Sequence, residues 1–226
     1  MCHGIVREAA LKFGEVYVFA KPEYFDSVSF MYRDNPNIKC ISADDQGAVN
    51  YVIQNKVQNH YARIEWRDRS RGLERGFYEQ VGLSFEKKFA NFYVKRDSER
   101  EKTFFDRFNL EPYTYAFVHD DVQRNMIINK DHIRDESLKI FQTQYGHSTN
   151  IFDNALLVEY AKEVHVIESC FMFMTDLLIK NDKQDLFIHR YCKPMPVLEE
   201  PNNQRNWNII TARRFFNNES RYLRAN

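Results

Sequence analysis

The sequence has no surplus of charge, no paired cysteines and no long apolar run. Its 32 basic residues equal its 32 acidic ones. A balance of zero removes any global pull toward nucleic acid or an anionic membrane. The arginine-rich stretch 63–75 reads as a solvated mixed-charge loop, because Glu65, Asp68 and Glu74 interrupt Arg67, Arg69 and Arg71. Cys2, Cys40, Cys170 and Cys192 contain no CxxC pair, so no zinc or thioredoxin-like pattern is present. His189 and Cys192 form only a sparse HxxC. No apolar run approaches the roughly 20 residues of a membrane span. The first residues lack the apolar core of a signal peptide. The expectation is a cytoplasmic protein with reduced thiols, no integral membrane segment and no nucleic-acid partner.

Motif absences narrow the chemistry. There is no GxxxxGK[ST] phosphate loop, GxGxxG turn, GxSxG elbow or HExxH pair. That disfavours kinases, dehydrogenases, hydrolases and metalloproteases together. No Asp-x-Asp pair occurs, which argues against a metal-clamped sugar-nucleotide site. No metal or cofactor is expected.

What is present is aromatic bulk and an alternating pattern. The chain holds 19 Phe and 13 Tyr, enough to fill a sizeable core. Its length suits one large domain or two of roughly 100 residues. Residues 4–13 have helical spacing and end at Gly14. Residues 15–20 (EVYVFA) read as a buried strand. Pro22 opens a helix reaching about residue 32. Strands at 37–42 and 62–66 flank a helix at 46–56. This spacing indicates βαβ units and a parallel sheet. The zone 76–110 reads as helices over 76–81, 86–93 and 98–108, the last opened by Ser98 and Glu101 as a capping box.

Strand-like runs then resume at 113–118 (YTYAFV), 125–129, 138–143, 164–167 (VHVI), 186–190 and 207–211. Helices are expected at 153–162, with Asp153 as N-cap, at 169–179 and at 212–222. The organisation that follows is an α/β chain of two Rossmann-like halves, 1–95 and 96–226. The N-terminal half opens on a helix, without the strand that normally comes first.

Three polar segments sit where open α/β sheets bind ligands, beyond the carboxyl ends of strands. His119, Asp120 and Asp121 follow YTYAFV, with Arg124 close enough in sequence to face a phosphate. The bland alternative is a polar turn whose carboxylates cap local N–H groups. Ser148, Thr149, Asn150 and Asp153 precede a helix, either to hold a phosphate or sugar at its N-terminus or simply to cap it. Glu168 and Ser169 stand at another strand-to-helix turn, with the same two readings. His165, inside a strand, is expected to be a satisfied core histidine.

The segment FDNALLVEYAKEVHVIESCFMFMTDLL resembles the donor-binding region of GT-B type glycosyltransferases, in the heptosyltransferase and fucosyltransferase-like branches. YTYAFVHDD resembles the first strand and loop of the same C-terminal half. The opening HGIVREAALKFGEVYVFAKPEYFDSVSFMYRD looks like the start of the N-terminal half in small proteins of this kind. The resemblance implies a nucleoside-diphosphate sugar bound by the second half and transferred, without metal, to the hydroxyl of an unidentified glycan or other acceptor. It places His119 and Asp120 beside the donor, where they are the candidate catalytic groups to deprotonate the acceptor hydroxyl. Asp121, Arg124, Ser148, Thr149, Asn150, Asp153, Glu168 and Ser169 would surround the donor. Arg7, Asp44 and Asp45 would lie on the acceptor side. The alternative is a non-catalytic nucleotide-sugar-binding or assembly protein that kept the fold and lost the chemistry.

Overall fold

A computed structural model describes residues 2–58, 73–122, 125–144, 147–190 and 205–211. The strand expected at 62–66, the helix expected at 212–222, Arg124, Cys192 and most of the mixed-charge loop lie outside the described residues. The chain forms two compact units. Among the described residues, one takes those up to Asp97 together with Ser148–Phe152, and the other takes those of Ser98–His147 and those from Asp153 onward.

In the N-terminal unit, α1 (His3–Phe13) leads to β1 (Val16–Ala20), α2 (Phe25–Tyr32), β2 (Ile38–Ser42) and α3 (Asp45–Gln54). Gly14 stops α1 at φ 81°, a left-handed backbone angle that glycine takes without steric cost. β1 and β2 pair in parallel, Val16 opposite Ile38. Alternation decides what each face meets. Val16 and Val18 join Val6 and Ala10 of α1 and Val28, Met31 and Tyr32 of α2. Tyr17 and Phe19 instead meet the ring of Tyr51 on α3, each at 5.5 Å. Helices therefore cover both faces of this sheet. The shorter helices α4 (Leu73–Gln80) and α5 (Lys87–Ala90) follow. The helix expected at 86–93 shrinks to that single turn. A buried ion pair, Lys88 to Glu74 at 2.5 Å, joins α4 to α5. His3 binds the carbonyl of Lys88 at 2.7 Å and ties α1 to the same place.

The C-terminal unit opens with α6 (Ser98–Phe105) and carries β3 (Tyr115–His119), β4 (Lys139–Gln142), α7 (Ala155–Glu159), β5 (Glu163–Ile167), α8 (Cys170–Leu177), β6 (Asp185–Arg190) and β7 (Trp207–Thr211). Its five strands are all parallel, in the order β4-β3-β5-β6-β7. β3 and β5 are the near-continuous apolar runs that burial on both faces demands. Phe117 packs on Phe171 of α8, and the Tyr115 hydroxyl donates to the Leu157 carbonyl of α7 at 2.6 Å. On the opposite face Val118 and Ile167 meet Ile128 and Ile133.

That opposite face also holds a row of polar groups. Glu163 accepts N–H bonds from Arg134 and Asp135 at 3.0 Å each, and its carboxylate meets His165 Nε2 at 2.9 Å. His165 Nδ1 meets His189 Nε2 at 3.1 Å. Glu163, His165 and His189 are buried but mutually satisfied. His165 is thus the satisfied core histidine its strand position suggested.

Two sequence expectations change. Residues 125–129 are not a strand. Asn125 takes a left-handed φ of 53°, and Asp121 and Met126 exchange backbone hydrogen bonds at 3.0 and 2.8 Å to close a tight turn. Asn tolerates that conformation, which an extended run cannot contain. Asp153 is not the N-cap of a helix over 153–162. It lies in a 3-10 turn, Ile151–Asn154, that precedes the short α7. Asn150 takes the local capping role, accepting the Phe152 N–H at 3.1 Å. Asp153 is drawn instead to Arg100 of α6. No helix among the described residues is long and apolar enough to cross a membrane.

Candidate functional site

In the C-terminal unit the chain runs from β3 outward to β4, then returns past β3 to β5 and continues to β6 and β7. The connections after β3 and β5 therefore leave in opposite directions. This reversal opens the strand-end position where doubly wound sheets place ligands. Four side chains stand at these ends: His119 of β3, Glu168 and Ser169 after β5, and Arg190 of β6. His119 pairs in register with Val166, and Ile167 with His189. Alternation then turns His119, Glu168 and Arg190 to the face that carries α8.

His119 is held on two sides. Its Nδ1 lies 2.9 Å from the Thr143 hydroxyl, and its ring packs at 4.3 Å on Phe171 in the first turn of α8. In the tautomer that donates from Nδ1 to Thr143, Nε2 carries the lone pair of a base.

Asp120 is only 8% exposed, and both carboxylate oxygens are engaged. Oδ1 accepts the Ile128 N–H at 2.8 Å, and Oδ2 accepts the Gln142 side-chain amide. Burial raises its carboxyl above the ordinary aspartate range, and the Ile128 N–H, the Lys130 charge and the Gln142 amide offset that in part. This carboxylate pins the 121–128 turn against β4. That is a positioning role. Asp121 contributes its backbone to the same turn.

Ser169 caps α8 with an extended backbone, φ −146° and ψ 179°, yet its side chain makes no capping bond. Its Oγ is buried without a hydrogen bond, as are Nε and Nη2 of Arg190. Arg190 Nε lies 3.3 Å from Glu168 Oε1, near enough for an ion pair but outside hydrogen-bond alignment.

The other expected residues fall elsewhere. Ser148, Thr149 and Asn150 belong with the N-terminal unit. Ser148 Oγ accepts the Asn150 N–H at 2.9 Å and donates to the Asn150 carbonyl at 3.0 Å. Ser27 of α2 donates to the Thr149 carbonyl and accepts the Ile151 N–H. The segment is a docked loop of that unit. Asp153 is engaged by Arg100 through two hydrogen bonds, 2.5 and 3.0 Å. Arg7 clamps Asp34 by two bonds of 3.0 Å and donates to the carbonyls of Met31 and Tyr93. Asp44 caps α3 by accepting the Gly47 N–H at 2.7 Å, and Asp45 opens that helix. Each carries a structural duty where it stands.

Arg190 is the site residue that sequence reading missed. Its signal was available: it ends a predicted strand, the same position that singled out His119 and Glu168. Another concavity lies beside β1 in the N-terminal unit, lined by Ile5, Ala9 and Phe13 of α1 and Val49, Val52 and Ile53 of α3. That lining is mainly apolar, with Glu15, Tyr17 and Gln58 at its polar part, and it offers none of the buried, unsatisfied donors found at Ser169 and Arg190. The chain matches no protein-family model, no curated protein and no solved structure, so the strand-end group stands on its own geometry.

Proposed function

We propose that the C-terminal unit holds a nucleoside-diphosphate sugar at the ends of β3, β5 and β6, and that the protein transfers the sugar to an acceptor hydroxyl without a metal. One observation carries this reading. Arg190 Nε and Nη2 and Ser169 Oγ are buried donors that have no acceptor, at the ends of β6 and β5 next to the point between β3 and β5 where the sheet reverses. Leaving such groups unmade costs about 1–3 kcal/mol each, more for a charged one. An oxyanion would satisfy them. The first turn of α8 adds the positive end of its dipole.

Chemistry follows from these placements. The acceptor oxygen attacks the anomeric carbon, and His119 Nε2 takes its proton. The bond from that carbon to the phosphate oxygen breaks, and its electron pair leaves with the diphosphate. Arg190, Ser169 and the α8 N-terminus stabilise the departing charge, as preorganised electrostatics does. The test is transfer from a panel of nucleotide sugars to simple glycosides, followed by release of nucleoside diphosphate.

A second reading is nucleotide-sugar binding without transfer. The full engagement of Asp120 favours it, because that carboxylate is then withdrawn from proton transfer. Binding that saturates with no diphosphate released would select this reading.

A further inference from the structure

Two arginines of the C-terminal unit meet carboxylates in different ways. Arg100 grips Asp153 with the side-on edge of its guanidinium, Nε to Oδ1 at 2.5 Å and Nη2 to Oδ2 at 3.0 Å. This is the fork that matches a planar oxyanion. Arg190 offers the same edge to Glu168, yet Nε stands 3.3 Å away and neither Nε nor Nη2 makes a hydrogen bond. The two side chains are only 16% and 11% exposed, and both nitrogens are sealed from bulk water. A buried ion pair recovers its desolvation cost only with good alignment. This pair lacks it.

We propose that Glu168 is an internal stand-in for the anionic group of the ligand. It holds Arg190 at the strand end with the side-on edge open, and a phosphate or diphosphate oxyanion takes that edge by displacing the carboxylate. The proposal rests on the donor-site reading above and adds a regulation to it. On binding, the ligand's charge must replace that of Glu168 beside Arg190, and Ser169 Oγ supplies the hydroxyl donor that the carboxylate leaves unused. The carboxylate therefore holds affinity down and releases a partner to a sugar hydroxyl only once the oxyanion is seated.

Calorimetric titration of the full chain with inorganic pyrophosphate and with a set of nucleoside diphosphates tests this. The variants are Glu168→Gln, which keeps shape and removes charge, and Arg190→Lys, which keeps charge and removes the fork. Thermal unfolding of each variant without ligand confirms that it is folded. The expected result is pyrophosphate binding tightened about tenfold or more in Glu168→Gln, because like charges at close quarters cost several kcal/mol. Arg190→Lys should weaken it by a similar factor. Wild-type binding of a nucleoside diphosphate that is unchanged in both variants overturns the stand-in role and leaves the donor site standing. Binding of pyrophosphate with the expected variant pattern, but of no nucleotide, overturns the donor-site reading alone. No binding of either by the wild type overturns both.

Discussion

Arg190 Nε lies 3.3 Å from Glu168 Oε1 at the ends of adjacent strands, without the alignment of a hydrogen bond. The sheet brings them there, since Ile167 and His189 are register partners one residue earlier on each strand. A buried guanidinium edge without hydrogen bonds at the carboxyl edge of a parallel sheet is the kind of unsatisfied polar group that points to a ligand.

His119 is the group expected to move the proton. Its exchange for alanine should slow transfer by about 10²–10⁴-fold, the usual range for a lost acid–base group. Affinity for nucleoside diphosphate should stay unchanged, because His119 faces the acceptor oxygen in this account. Steady-state kinetics beside a binding titration separates the two. Loss of nucleotide binding would place His119 in the donor contacts.

Asp120→Asn should act on stability rather than on chemistry. The new amide can accept from only one of the two donors, Ile128 N–H or Gln142, and turns its own N–H groups toward the other. Denaturant unfolding should show a loss of about 1–3 kcal/mol, the cost of a buried group left unsatisfied. Transfer per folded molecule should survive. Unaltered stability with abolished transfer would make Asp120 catalytic.

Glu163→Gln should be costly for a related reason. The carboxylate serves the N–H groups of Arg134 and Asp135 as well as His165, all from buried or half-buried positions. Hydrogen bonds to a charged acceptor contribute about 1.5–3 kcal/mol each, so losing even one should show clearly in the unfolding midpoint. A midpoint equal to that of the wild type would mean the network contributes nothing net.

Acid should destabilise the chain before its carboxylates titrate fully. Burial holds His189 down to about 3, and neighbouring His165 and His132 add to the shift; burial likewise holds His3 down to about 4. His165 is lowered by burial despite Glu163. Each folded value lies below the ordinary 6.5, so the folded state prefers the neutral ring. The stability this preference contributes is complete above 6.5 and is lost as pH falls toward the folded values. Unfolding free energy should decline steadily from pH 6.5 to pH 4. Replacing His189 with Gln should flatten that slope. An equal slope in the variant would remove His189 from the effect.

The parts of the fold that were legible in sequence are those with a strong local pattern. YTYAFV and VHVI are continuous β-branched and aromatic runs, and burial on both faces selects for that composition. Gly14 marked a helix end because only its left-handed angle was needed there. Residues 125–129 looked like a strand because nothing local reveals that Asn125 turns left-handed. Ser148, Thr149 and Asn150 looked like a ligand loop because their anchor, Ser27, lies 122 residues away from Thr149 along the chain. Asp153 looked like a cap because its partner Arg100 comes from another helix. The strand-end rule singles out His119, Glu168 and Ser169, and the same rule applied once more singles out Arg190. Residue type alone did not distinguish Asp120, whose carboxylate is spent on the turn, from His119 beside it.

The most direct test of the central claim is the thermal midpoint of the wild-type chain against a panel of nucleoside diphosphates and nucleotide sugars. The account predicts a clear rise with one nucleotide family, since a ligand at about 100 times its dissociation constant adds roughly 2.7 kcal/mol. An unchanged midpoint with every member of the panel at millimolar concentration would contradict it.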